Sequence, residues 1–253
     1  MGHNCRMNLL THSLLALMLF VPFFGTAADF SLGLGGFLTT SPYHAKRDDY
    51  SVWPVVNYDN DIWYIQGDEI GGYLINSDTN ELKVKAYYFD QDYKPKNGRG
   101  RAMRRLDKRQ NTIMSGVSYQ YTGAYGAIHT QVATDTRNRS QGVVANLAYL
   151  NLVQLNKRLS LIPELGLDWA NGQQTRYYYG ISPGESARSG LTTYRPSANA
   201  TTYVSLMTVY NVTPQWDTYA SARSNFLPAT VRNSPMVNAD RTYAFAVGVN
   251  YNF

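Results

Sequence analysis

The chain has 253 residues, with 23 Lys and Arg against 18 Asp and Glu, a formal net charge of +5, and one cysteine. A single thiol excludes a disulfide-held fold, and its place at Cys5, ahead of an apolar run rather than at its end, argues against lipid attachment there. Beyond residue 28 no apolar run approaches the ~20 residues of a membrane helix.

Met1 to Ala28 reads as a cleaved secretory signal: Arg6, an apolar run from Leu14 to Phe24, then Gly25-Thr26-Ala27-Ala28, with cleavage after Ala27 or Ala28. Residues 29–253 remain as one domain. An exported chain of that length without a spanning helix is either a soluble periplasmic protein or an outer-membrane β-barrel, and nucleic acid is not an expected partner. The 21 Tyr against 9 Phe favour the barrel, because amphipathic rings populate its two interfacial girdles.

Alternation dominates from here on, with turn residues between segments. Ile62 to Gln66 and Glu69 to Asn76 read as two strands joined by a tight external turn at Gly67-Asp68. Between Leu82 and Phe89 the inward charges are Lys83 and Lys85. In Leu159 to Trp169 the residues Leu159, Leu161, Pro163, Leu165, Leu167 and Trp169 share one face, whereas Glu164 and Asp168 share the other. Trp216 to Phe226 places Asp217, Arg223 and Asn225 inward. Charge on the lumen face avoids the roughly 2–4 kcal/mol cost of a lipid-facing base at the bilayer midplane.

The last segment alternates most strictly. Tyr243, Phe245, Val247, Val249, Tyr251 and Phe253 share one face, and Ala244, Ala246, Gly248, Asn250 and Asn252 the other. A half-buried strand of a soluble sandwich could show the same pattern. The final aromatic residue favours a spanning strand of the kind that barrel assembly machinery reads in bacterial outer membranes. Long connections at 40–50, 91–111, 135–142, 172–200 and 227–240 alternate with short ones near 59–61, 77–80, 122–124, 156–158 and 212–215. The expected fold is therefore all-β: a transmembrane antiparallel up-and-down barrel of about twelve strands, or ten if a weak strand is lost, with the long loops outside.

Chemistry is sparser. His129 alternates into the lumen beside Gln131 and His44 falls in the first external loop, with no nucleophile tied to either, so no catalytic residue is assigned. Asp59-Asn60-Asp61 lacks the glycine and distal glutamate of a calcium loop and reads as a turn. No cofactor motif is present. Lys83, Lys85, Glu164, Asp168, Asp217 and Arg223 form a lumen set of both signs, which can pair and fill the barrel or line a narrow aqueous path; the cost of unpaired buried charge favours pairing. Lys94, Lys96, Arg99, Arg101, Arg104 and Arg105 crowd one external loop beside lipopolysaccharide phosphates, a candidate anion contact.

Several stretches carry a resemblance: Met103-Arg104-Arg105-Leu106-Asp107-Lys108-Arg109 followed by Thr112 to Tyr119; Tyr177-Tyr178-Tyr179-Gly180-Ile181-Ser182 followed by Glu185 to Leu191; Ser234-Pro235-Met236-Val237; and Pro54 to Tyr58. Together they resemble the MipA/OmpV family over the whole mature chain. The resemblance implies a Gram-negative outer-membrane barrel without enzymatic activity. For the MltA-interacting members it implies a scaffold between a lytic murein transglycosylase and a bifunctional murein synthase in peptidoglycan biogenesis. Other members are associated with osmotic response, antibiotic susceptibility or adhesion. The basic 94–105 segment departs from the more acidic or polar loops of the family. The external signature residues Asp107, Arg109, Tyr178, Gly180, Glu185, Arg188 and Asp240 are expected to lock inward-folded loops rather than bind a ligand.

Overall fold

The computed structural model describes residues 29–44 and 49–253; the expected signal, residues 1–28, lies outside the described residues. Strands β1 (Asp29–Thr39), β2 (Asp49–Asp59), β3 (Trp63–Gln66), β4 (Glu69–Asn76), β5 (Asn80–Phe89), β6 (Thr112–Gly123), β7 (Gly126–Asp135), β8 (Val143–Leu150), β10 (Leu159–Ala170), β11 (Asn199–Asn211), β12 (Trp216–Phe226) and β13 (Arg241–Asn252) each pair antiparallel with their sequence neighbours. The two-residue segment β9 (Val153–Gln154) continues β8 past an interruption at 151–152 and pairs with the same strand, β10. The barrel therefore has twelve staves. It closes where β1 meets β13, from Ser31 opposite Asn252 to Thr39 opposite Ala244. Closure matters because a bilayer offers no water to an unpaired N–H or C=O. Among the described residues no helix is long and apolar enough to cross a membrane.

The alternation read from the sequence has its physical outlet here. Outward positions are apolar and exposed, as at Leu147, Leu165, Val204 and Val247, whereas inward positions such as Lys83, Lys85, Glu164 and Arg223 are buried and polar. The two ends of the described barrel chain, the start of β1 and the end of β13, meet at one rim, where Phe253 stacks on Phe30 with ring centroids 5.1 Å apart. Tyr58 packs on Trp63 at 4.6 Å and Trp216 on Tyr251 at 5.0 Å, so this rim carries an aromatic girdle. It also carries the short turns. Asn60 caps one of them, its Oδ1 accepting from the N–H groups of Ile62 and Trp63.

One element departs from expectation. The β3–β4 turn at Gly67-Asp68 is not external; it stops partway up the wall. β3 has four residues against eleven in β2, and only Asn57, Tyr58 and Asp59 of β2 pair with it. Backbone bonds cap the hairpin tip on both sides, from Gly67 N to Val56 O (3.0 Å) and from Tyr88 N to Asp68 O (3.2 Å).

Candidate functional site

At the rim opposite the chain ends, the long connections fold over the barrel as a lid. Its framework is set by local capping. Asn171 Oδ1 accepts from Gln174 N at 2.9 Å, starting α2 (Gly172–Tyr179). Ser182 and Glu185 form a reciprocal capping box at α3 (Pro183–Ser189), which ends on Gly190 at φ 78, a conformation glycine adopts without strain. A short helix α1 (Gly100–Met103) lies in the 90–111 loop and α4 (Ala229–Arg232) in the last loop. Tyr43, Tyr93, Met103, Leu106, Ile181 and Met236 bury one apolar core drawn from four separate loops. Tyr93 Oη donates to Met103 O (2.6 Å), Ser234 Oγ to Tyr179 O (2.7 Å) and Tyr194 Oη to Thr230 O (2.9 Å).

The signature residues converge in this lid. Arg109 Nη2 donates to Glu185 Oε1 at 2.7 Å and to Gly180 O at 3.0 Å, with both side chains of the pair buried. Glu185 also accepts from Asp107 N (2.9 Å) and Ser182 N (3.0 Å). Burial alone pushes the Glu185 carboxyl up, but the Ser182 and Asp107 N–H groups and the Arg109 charge outweigh it and hold it below the ordinary glutamate value. Tyr178 is fully buried and its Oη donates to Gln110 O at 2.9 Å. Arg188 pairs with Asp107 at 2.6 Å, and Asp240 with Arg232 at 3.3 Å; these pairs are half exposed and stabilise little.

The basic loop divides between lid and surface. Lys94 pairs with Asp92 at 3.0 Å, and Arg105 Nη1 donates to Arg188 O at 2.8 Å. Lys96, Arg99, Arg101 and Arg104 stand exposed with no ion-pair partner among the described residues.

Below the lid the lumen charges form two clusters on opposite walls. On one, Arg223 pairs with Asp168, donates from Nε to Asn225 Oδ1 at 2.7 Å and stacks 3.4 Å from the Tyr203 ring centre. Asn146 Nδ2 donates to Asp168 (2.8 Å) and to Tyr203 Oη (3.1 Å), while Glu164 accepts from Tyr203 and Ser205. The Tyr203 ring lies over Gly166, where a Cβ would sit 2.3 Å from its Cζ. On the other wall Lys83 pairs with Glu81 at 2.6 Å and Lys85 with Glu69 at 2.9 Å. Asp217 stands apart from both clusters, near the chain-end rim, accepting from Asn250 (2.9 Å) and Asn252 (2.8 Å). Its partners are amides rather than charges because the lower lumen presents asparagines there.

Between lid and clusters lies a cavity of about 390 Å³, bordered by Tyr178, Gln174, Glu164, Asp168, Lys85 and His129. His129 Nδ1 lies 3.3 Å from Asn146 Oδ1. No group of three His, Cys, Asp or Glu among the described residues is arranged to hold a metal. Sequence reasoning missed Tyr203, Asn146, Glu69 and Glu81, the partners that satisfy the lumen charges. The readable signals it passed over are the two cap patterns, Asn171 with Gln174 and Ser182 with Glu185.

The family described as MltA-interacting protein MipA matches residues 32–253. The chain belongs to the MipA family. MltA-interacting protein of Escherichia coli K12 is 37% identical over 224 residues, covering 88% of this chain and 90% of that protein. The YiaT protein of the same organism, whose name assigns it to the outer membrane, is 33% identical over 228 residues, covering 90% and 92%. Among solved structures, the translocator domain of autotransporter NalP from Neisseria meningitidis covers 91% of this chain and 90% of its own at 10% identity, with a TM-score of 0.48. This MipA-family barrel is an outer-membrane protein.

Proposed function

We propose that this MipA-family barrel is a noncatalytic scaffold that holds a lytic murein transglycosylase and a bifunctional murein synthase against the inner face of the outer membrane. The lidded outer end carries the reading: a lid with its own apolar core, pinned by the buried Arg109–Glu185 pair, and a lumen in which Lys83, Lys85 and Arg223 are each ion-paired, suit an anchor better than a diffusion pore. A relative named for its interaction with a murein enzyme supports it. The contact surface would be the short turns at the chain-end rim, where Ile62 is 72% and Tyr125 88% exposed. The test is copurification from detergent extracts: both murein enzymes should accompany the wild type and be lost from the Ile62→Ser, Tyr125→Ser double variant with the barrel still heat-modifiable. Absence of both enzymes from the wild type would end the scaffold reading.

A second reading, a narrow uptake barrel for a small solute or antibiotic, draws on the cavity beneath the lid. Reproducible single-channel steps in planar bilayers, altered by Arg223→Ala, would put it ahead. The exposed Lys96, Arg99, Arg101 and Arg104 are in turn proposed to rest on lipopolysaccharide phosphates around the barrel or serve in surface adhesion, and the Phe253 terminus to be read by the assembly machinery.

A further inference from the structure

The short β3–β4 hairpin leaves a break in the barrel wall. Above its tip, β2 continues through Asp49–Val55 and β5 through Tyr88 and Phe89 with no strand between them. The shortfall is lopsided: beyond the Gly67–Val56 bond seven residues of β2, 49–55, run on, whereas beyond the Tyr88–Asp68 bond β5 has only Phe89, so the break is a wedge whose long side is the β2 edge, roughly 17 Å at ~2.5 Å per tilted residue. The two strands it fails to separate would stand about 14 Å apart, three spacings of ~4.8 Å. The break lies in the half of the wall nearest the lid, at the height of the outer leaflet.

Its edges are specific. Val56 O accepts from Gly67 N, so the backbone groups of Tyr50, Val52 and Pro54, which share that parity, also point into the break. No backbone hydrogen bond among the described residues reaches that edge above Val56. Pro54 removes one N–H from this row and so disfavours an added strand from another protein. Outward, the edges are apolar: Tyr50 is 78%, Val52 63% and Ile70 52% exposed. Inward, they are polar: Asp68 and Glu69 at the hairpin tip, Gln91 across from them and Thr40 above border the cavity of about 390 Å³, a volume within the range of small-ligand pockets.

We propose that this break is a lateral window through which a single-chain amphiphile enters the cavity from the outer leaflet. Unpaired backbone at membrane depth persists only where it is buried in protein or lines a wet cavity, and this edge opens toward one. The lid lies across the axial route, and the break in the wall offers an entrance from the side. An apolar outer frame with a polar sill matches a molecule with an alkyl tail and a hydrogen-bonding head. The inference goes beyond the scaffold reading and does not depend on it.

An alkylphosphocholine with a diazirine beside its headgroup tests the window in reconstituted bilayers. In the wild type, photolabel is expected on lumen-side peptides bearing Asp68 and Gln91. In a variant with the β3–β4 hairpin lengthened by two residues on each side of Gly67-Asp68, that labelling should fall several-fold while lipid-face labelling stays. No lumen labelling in the wild type, or equal labelling in a heat-modifiable lengthened variant, overturns the proposal. A nitroxide at Val52→Cys keeps the test open should the lengthened hairpin fail to fold. Beside a wet window it should be several-fold more accessible to a water-soluble nickel chelate, relative to oxygen, than one at Val132→Cys on an unbroken wall. Equal ratios at the two sites overturn the window.

Discussion

Replacing Glu185 by alanine should unlock the lid and leave the barrel standing. Among the described residues the carboxylate is the only charge paired with the buried Arg109 guanidinium, and it also satisfies the backbone N–H groups of Asp107 and Ser182. Removing one partner of a buried pair costs ~3–5 kcal/mol, and each N–H left dry adds ~1–3 kcal/mol where water cannot reach it. Taking about 4 kcal/mol for the whole, because these contributions overlap, the closed-to-open ratio of the lid falls roughly a thousandfold. Barrel strands contribute none of these bonds, so heat-modifiability should persist. The assay is limited trypsin digestion of the reconstituted barrel. Cleavage at Arg99, Arg101, Arg104 and Arg105 should be slow in the wild type and fast in Glu185→Ala. Glu185→Gln, which keeps acceptors for the N–H groups but loses the charge, should fall between. Digestion rates identical across the three folded proteins would refute the lid as a structure held by this pair.

The same carboxyl gives the lid an acid limit. Its folded pKa lies below the ordinary glutamate value of 4.5, so its stabilisation is complete above that value and is lost as pH falls through the lower folded one; trypsin replaced by pepsin should show faster lid cleavage below that point, and Glu185→Gln should remove this step. Gly166→Ala would place a methyl 2.3 Å from the Tyr203 ring, forcing it off Glu164 and Asn146; a loss of about 1–3 kcal/mol should appear in urea unfolding from detergent, and no change would mean the ring moves freely. Changing Lys96, Arg99, Arg101 and Arg104 together to glutamine should weaken retention on phosphorylated lipopolysaccharide, with wild-type binding falling as salt rises; salt-independent binding would exclude phosphate contacts.

How much of this was legible in the sequence follows the range of the forces involved. Strand faces depend on a period of two residues, so Lys83, Glu164, Asp168 and Arg223 could be placed in the lumen from their neighbours alone. Pairing depends on register between strands. The registers set Glu164 opposite Ser205 and Ser205 opposite Arg223, and the long Arg223 side chain then reaches along the wall across β11 to Asp168, four residues from Glu164 on the same face; nothing local encodes those two offsets. Asp217, on the same face of the same strand as Arg223, illustrates the limit: alternation groups the two, and six residues along a tilted strand separate them into different surroundings.

The recessed hairpin shows a different kind of miss. Four or five residues between turn signals are too few to cross a bilayer that takes ~9–11 tilted residues, so the short span of Ile62 to Gln66 already argued that Gly67-Asp68 could not reach the outer surface. Counting strands preserved the parity of the barrel and concealed that shortfall, because parity depends on how many times the chain turns and not on where. Turn position is what sets the wall's height, and it is height that places Asp68 on the border of the cavity. The lid lies between these cases. Its caps at Asn171 and Ser182 are local and readable, but its core joins residues as distant as Tyr43 and Met236, so the sequence could indicate that those loops would be ordered without indicating that they would order one another.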